Sequence, residues 1–406
     1  MVEFSTTPSF SPMEVLKDYL FNYLLLQEVA SREQVAIVPF GALPMDYPPQ
    51  MTPKWPYYVQ NSVLAGRKQK TWTMEKNSPL RAAGNCAGIH AHIELETRPE
   101  FLFSNQELKS KFNMGVMLSP LIAFSSSPYF FGKHEANSMR ALRYYEGVYK
   151  KSPLNGGLPP IMETSQDVLN YVLSSIHNWE KMATKVGFKH EEISLLLSKK
   201  SANWNPVRWN SQWNTIEMRF LDSDSIEMDA TKFVWICTAM KCLDLKGDAL
   251  ETEVLKTKKK KLDRGMLDEV FRTSGKKICI LPTEHITELF NRAMMRGTKD
   301  PLVEHYLYRL EWHCLQSLDI EYRWLFKILQ RSLASHLTTS EIILKKTRGK
   351  ARITNEMAVS LVLEAMDNQN KIISSLRKYL PDVFQHLEES GPQSFRGKPK
   401  KRSKLS

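Results

Sequence analysis

The chain has 406 residues, with 56 lysines and arginines against 44 aspartates and glutamates and a formal net charge of +12. That length supports one large domain or two ordinary ones, and 42% hydrophobic with 25% charged residues excludes collagen, coiled coil and wholesale disorder. The charge is concentrated: residues 391–406 carry six basic side chains and no acid, Lys256–Arg264 carries six basic and one acidic, and the rest of the chain is left with +1.

At the N-terminus VEFST reads as a short strand. Ser11-Pro12-Met13-Glu14 then opens a helix, with serine as N-cap and proline at the first helical position. Val35–Phe40 is β-rich and ends at Gly41, and the prolines at 44, 48, 49, 53 and 56 make 42–56 a loop. In CAGIHAHIELET (86–97), Ile89, Ala91, Ile93 and Leu95 alternate with His90, His92, Glu94 and Glu96, which predicts a half-buried strand with a polar face. Helices are expected within 101–131, ending at SSSPYFFG, over 165–186 and over 227–243; Thr215–Phe220 alternates again as a second strand. The lysine-containing stretch 251–282 is expected as a basic linker, 283–389 as a helical region and 390–406 as a disordered basic tail, behind a catalytic domain over 1–250.

Five scattered cysteines, an odd number, do not make the paired framework of a small secreted domain, and a reducing cytoplasm is the expected compartment. Tyr19–Leu26 is too short to span a bilayer, and 115–131 is interrupted by Pro120, Pro128 and a serine run, so no membrane segment is expected.

His90 and His92 stand two apart on one strand face, where they can address one metal ion or one phosphate group, or simply face water. Cys86, four residues earlier, raises zinc as a rival, but no CxxC or HxxxH accompanies it. His92-Ile93-Glu94 matches the HxE of nucleobase deaminases, yet their PCxxC partner is missing. Glu217 and Arg219 share a face of the second strand, as a surface ion pair or beside a metal and its phosphate ligand. Walker and Rossmann phosphate loops are absent.

Taken in order, VEFSTTP, VPFGALP, GIHAHIEL, LSPLIAFSSSPYFFGKHEANSMRA and TIEMRFLD resemble the glutamate-cysteine ligase type 2, or carboxylate-amine ligase, family of the glutamine synthetase superfamily, over about residues 1–245. The resemblance implies an α+β fold, a curved and mostly antiparallel sheet with flanking helices. It also implies ATP-dependent joining of a carboxylate to an amine through an acyl phosphate. On this mapping Glu3, His90 and Glu217 are expected metal ligands for Mg²⁺ or Mn²⁺, and His92, Arg140 and Arg219 approach ATP. Arg208 and Arg219 act on the reacting phosphate or the substrate carboxylate. The implied partners are small amino acids, glutamate and cysteine first, with nucleic acid expected only through the basic tail and the helical region a candidate oligomer contact.

The family normally begins with a glutamate-rich strand some forty residues ahead of the VExxT segment, whereas here Met1 precedes Val2-Glu3 directly. A truncated start, loss of activity, or replacement of the missing carboxylates by Glu94 or Glu96 are the three expectations that follow. Loss of activity would leave a binding or scaffold protein.

Overall fold

The computed structural model describes residues 5–9, 11–35, 37–45, 55–68, 86–101, 103–148, 152–197, 204–243, 250–257 and 261–390. Val2–Phe4 of the expected first strand, Lys258–Lys260 and the tail 391–406 lie outside them.

Helix α1 spans Pro12–Arg32 and starts as its sequence directs: the Ser11 hydroxyl accepts the Glu14 N–H, and Leu16, Leu20, Tyr23 and Leu24 form its buried stripe. The described residues of Val35–Phe40 form no strand; the nearest pairing is an isolated bridge between Ala42 and Cys86. Branched residues favour a strand only where a neighbour offers a ladder. After α2 (Trp55–Ala65) comes β1 (Gly88–Glu94), then α3 (Glu107–Met117), shorter than expected because the chain tightens into a 3₁₀ turn at Ser119–Ala123 around Pro120. Helix α4 (Ser165–Val186) is held by a reciprocal Thr164–Asp167 capping box and ends at Gly187, whose φ of 94° suits glycine. Then follow α5 (His190–Leu197), β2 (Val207–Asn210), β3 (Thr215–Asp222) and α6 (Ile226–Lys241).

The stretch expected as a linker is structured instead. It contributes β4 (Glu251–Val254), α7 (Arg264–Glu269), β5 (Thr273–Ser274) and β6 (Lys277–Ile280), with β4 parallel and β5 antiparallel to β6. The lysines dominate the composition of this stretch, but Ile278 and Ile280 are fully buried and belong to the main core, so alternation outweighs charge here. Residues 283–390 supply α8 (Thr283–Arg296), α9 (Pro301–Leu315), α10 (Arg323–Ser335), α11 (Thr339–Lys346), α12 (Asn355–Leu376) and α13 (Pro381–Ser390).

The architecture is mixed α and β with two small sheets. The sheet carrying the candidate residues is antiparallel in the order β1-β3-β2. Its apolar face, including Ala91, Val207, Ile216 and Met218, lies in the same core as α3, α6 and α8–α10. Gly115 lets α3 approach closely, since a Cβ there would stand 2.9 Å from Val207 Cγ1. Trp235 of α6 stacks on Phe326 of α10 at 4.6 Å between ring centroids, so the helical half is fastened to the layer behind the sheet. Full burial of each such apolar side chain contributes about 1.5–3 kcal/mol. Helices α12 and α13 return to α1, where Ile373, Leu376 and Phe384 meet Leu20 and Leu24. Among the described residues no helix is long and apolar enough to cross a membrane.

Candidate functional site

The polar face of the first sheet is built by cross-strand register. His92 of β1 lies opposite Glu217 of β3, which lies opposite Arg208 of β2, so the three form one row across the sheet. The row toward the β2–β3 hairpin holds Glu94, Thr215 and Asn210. In the other direction the ladder slips: between Ile89 and Ala91 on β1, β3 advances from Leu221 to Met218, so His90 alone faces both Arg219 and Phe220. Such a bulge re-aims side chains. It also exchanges the faces of the residues beyond it, putting Asp222, opposite Gly88, on the polar side.

Glu217 is the hub. Its side chain is only 2% exposed, while those of Arg208, Arg219, His90 and His92 are partly exposed around it. One oxygen, Oε2, accepts from Arg208 Nε at 2.7 Å and from Asn210 Nδ2 at 3.3 Å. The other, Oε1, accepts from Arg219 Nη1 at 3.0 Å. His90 Nδ1 lies 3.4 Å from Oε1 and His92 Nε2 lies 4.0 Å from Oε2. Burial alone would raise the Glu217 pKa, but Arg219 and Arg208 overcome it and hold the carboxyl at about 2. Burial, reinforced by Arg219, lowers His90 to about 3, and burial with the same arginines lowers His92. Both imidazoles are therefore neutral near pH 7, and among the described residues of the cluster two guanidinium groups stand against one carboxylate. His92 is further oriented by Thr215, with Nδ1 3.0 Å from the hydroxyl.

This arrangement brings together His90, His92, Arg208, Glu217 and Arg219 from the expected set. Arg140 adjoins them from within a buried network, its Nη2 donating to the Arg219 carbonyl at 3.3 Å. Its Nε donates to Asp222 Oδ1 at 2.6 Å and its Nη2 to the Phe220 carbonyl at 2.8 Å. Asp222 also accepts from Ser125, Ser127 and Ser138, and Arg140 is 5% exposed. This arginine ties the serine-rich segment to the end of β3. Glu3 lies outside the described residues. Glu94, the suggested replacement carboxylate, sits one row from Glu217 and is exposed.

The described residues do not fit a magnesium site. Mg²⁺ takes near-octahedral oxygen ligands, whereas the one carboxylate here is bonded through both oxygens to arginine, and its close neighbours are imidazole nitrogens. Among the described residues no three His, Cys, Asp or Glu side chains converge to hold a metal. Two partly exposed guanidiniums on one polar face instead suit a phosphate or carboxylate.

Sequence reasoning placed Thr215 on the face of Glu217 and Arg219 without giving it a role, and missed Asn210 and Trp213. Asn210 follows Arg208 by two and was accessible from strand alternation. Trp213 carries no pattern; it sits in the hairpin between β2 and β3, 60% exposed, with its ring centroid 5.3 Å from that of His92. The five cysteines form no disulfide, and Cys86, the rival zinc ligand, is buried, with its thiol pushed up to about 12 by burial.

Fold and site together define an α+β protein with an arginine–glutamate–arginine cluster on an antiparallel sheet. No protein-family model and no curated protein matches the chain.

Proposed function

We propose that the chain is an ATP-dependent carboxylate-amine ligase of glutamine synthetase-like architecture, acting in the cytoplasm with glutamate and cysteine as the first substrates to test. The observation that carries this reading is the Arg208–Glu217–Arg219 cluster beside His92, which matches the motif residues of the resemblance and presents two arginines on a partly exposed face.

In the proposed reaction a carboxylate oxygen of the acid attacks the γ-phosphorus of ATP, the bond to the β–γ bridging oxygen breaks, and ADP leaves with that electron pair. The amine nitrogen then attacks the acyl carbon of the resulting acyl phosphate and loses a proton, and inorganic phosphate departs with the C–O bond electrons. Phosphoryl transfer is governed by positioning and neutralisation of oxygen charge. Arg208 and Arg219 supply that neutralisation, and Glu217 holds both guanidiniums in place from beneath.

The poor fit to magnesium favours a second reading, in which the same face binds a phosphorylated ligand without turnover. Phosphate release separates the two. With ATP, Mg²⁺, glutamate and cysteine, the purified chain is expected to release phosphate only when both amino acids are present, and Arg219→Ala to abolish that release. ATP binding without release selects the binding-only reading; undiminished release by Arg219→Ala overturns the assignment of the site.

A further inference from the structure

A phosphate site alone does not choose its nucleotide, and the ring beside the site supplies a way to do so. Trp213 is among the most exposed large hydrophobic side chains of the protein, at 60% of its surface. An exposed tryptophan gains little from folding where it stands. Here it is set at the hairpin end of the polar face, and its ring neighbour is His92, the imidazole that reaches Glu217 at 4.0 Å and Thr215 at 3.0 Å.

The hairpin that carries Trp213 is well fixed. Asn214 adopts φ of 51°, a left-handed conformation that asparagine tolerates better than most residues, and its amide nitrogen donates to the carbonyls of Leu95 and Thr97 at 3.0 and 3.1 Å. Asn210 at the other end of the turn accepts the Gln212 N–H at 3.2 Å. The ring is thus exposed on a turn anchored on both sides.

Along the strand, Arg219 and Thr215 are four residues apart, about 13 Å at the usual rise. An extended nucleoside triphosphate spans that separation, with its outer phosphates toward Arg219, an inner phosphate toward Arg208 in the intermediate row of Glu217 and His92, and its base at the hairpin. Base–aromatic stacking needs only a rigid exposed ring, and is tolerant of which base it receives.

We infer that Trp213 is the stacking platform for the base of the nucleotide whose phosphates Arg208 and Arg219 bind. This rests on the phosphate reading given above and names the part of the ligand that reading leaves open. Trp213 becomes the residue that distinguishes a nucleotide from a bare polyphosphate. The arginines set the charge requirement and the indole sets the requirement for an aromatic ring.

The test compares ATP with inorganic tripolyphosphate, titrated calorimetrically into the full chain and into Trp213→Ala, Trp213→Phe and Arg219→Ala. Trp213→Ala is expected to weaken ATP at least about fivefold, the lower end for loss of one stacking contact, while leaving tripolyphosphate unchanged. Trp213→Phe is expected to restore most of the ATP affinity, and Arg219→Ala to weaken both ligands. If tripolyphosphate binds and Trp213→Ala leaves ATP unaffected, or weakens both ligands alike, the stacking platform is refuted and the phosphate site stands. If tripolyphosphate does not bind the unaltered chain, the phosphate reading itself fails and the platform with it.

Discussion

Strand β3 carries two arginine–carboxylate sites five residues apart, and they have opposite characters. At Asp222 one guanidinium meets one carboxylate, both buried, and three serine hydroxyls together with two main-chain carbonyls complete the network. At Glu217 two guanidiniums share one carboxylate, and the cations reach the surface. Asp222 is balanced in charge and sealed, so it serves the fold. Among the described residues Glu217 meets two guanidiniums whose side chains are partly exposed, so this site is open to solvent where that of Asp222 is sealed. Residue type does not separate the two, because both are an acid with arginine on an alternating strand. The bulge opposite His90 does, by placing Asp222 on the polar side beneath the serine-rich segment.

The largest effect is expected from breaking the sealed site. Asp222→Ala leaves Arg140 buried beside hydroxyls that have lost their acceptor, and removal of one partner from a buried pair costs about 3–5 kcal/mol. Urea unfolding should show a midpoint shift of that size or a failure to fold. A loss under about 1 kcal/mol, the value of a surface pair, would mean that the two sites do not differ as described. The fit is close there: a Cβ on Gly41 would meet Asp222 Cβ at 2.6 Å, so only glycine leaves room for the aspartate at that position.

A smaller, pH-dependent effect belongs to the open site. Glu217, held at about 2 against an ordinary 4.5, contributes stability that is complete above pH 4.5 and lost as pH falls toward 2. His90 is lowered from 6.5 to about 3, so the unfolded chain takes up its proton first and stability declines as pH falls from 6.5 toward 3. Burial is the main cause; Arg219, Arg140 and Arg208 act with it and Glu217 opposes it. Unfolding midpoints between pH 7 and 4 should therefore fall less steeply for His90→Asn than for the unaltered chain. Parallel curves would show that His90 titrates in the folded protein much as it does in water.

Much of this site was legible because period-two alternation is a local signal. His90, His92, Glu217 and Arg219 could be assigned to polar faces from spacing alone, and the register then brought the two strands together. Arg208 was placed by motif, and β2 pairs with β3 through a short hairpin. What spacing could not show is charge balance: Glu217 reads as a metal ligand until Arg208 and Arg219 are seen to occupy both its oxygens. The structural partner of Arg140 was hidden for a similar reason, since nothing local reveals that Asp222, 82 residues later, pairs with it. The lysine run hid two buried isoleucines in β6, and Val35–Phe40 had strand propensity without a ladder.

The sharpest use of the comparison lies in the sign of the last and smallest effect. If Glu217 is a counter-charge, Glu217→Gln raises the net charge of the cluster by one while keeping the side chain's shape. With the cluster partly exposed and screened close to the bulk-water limit, that change favours a nearby anion by about 1 kcal/mol, or roughly fivefold. Tripolyphosphate titrated without any divalent ion should then bind Glu217→Gln several-fold more tightly than the unaltered chain, and the gain should shrink as salt is raised. A metal ligand behaves in the opposite sense: its amide variant gains nothing without the ion and loses affinity for the metal–nucleotide complex when the ion is added. Looser binding in both media would mean that Glu217 works by holding the arginines in position and that its charge is incidental. Tighter binding in the absence of metal is what the hydrogen bonds from Arg208 and Arg219 require, because those bonds place the carboxylate beneath the cations as their neutralising partner.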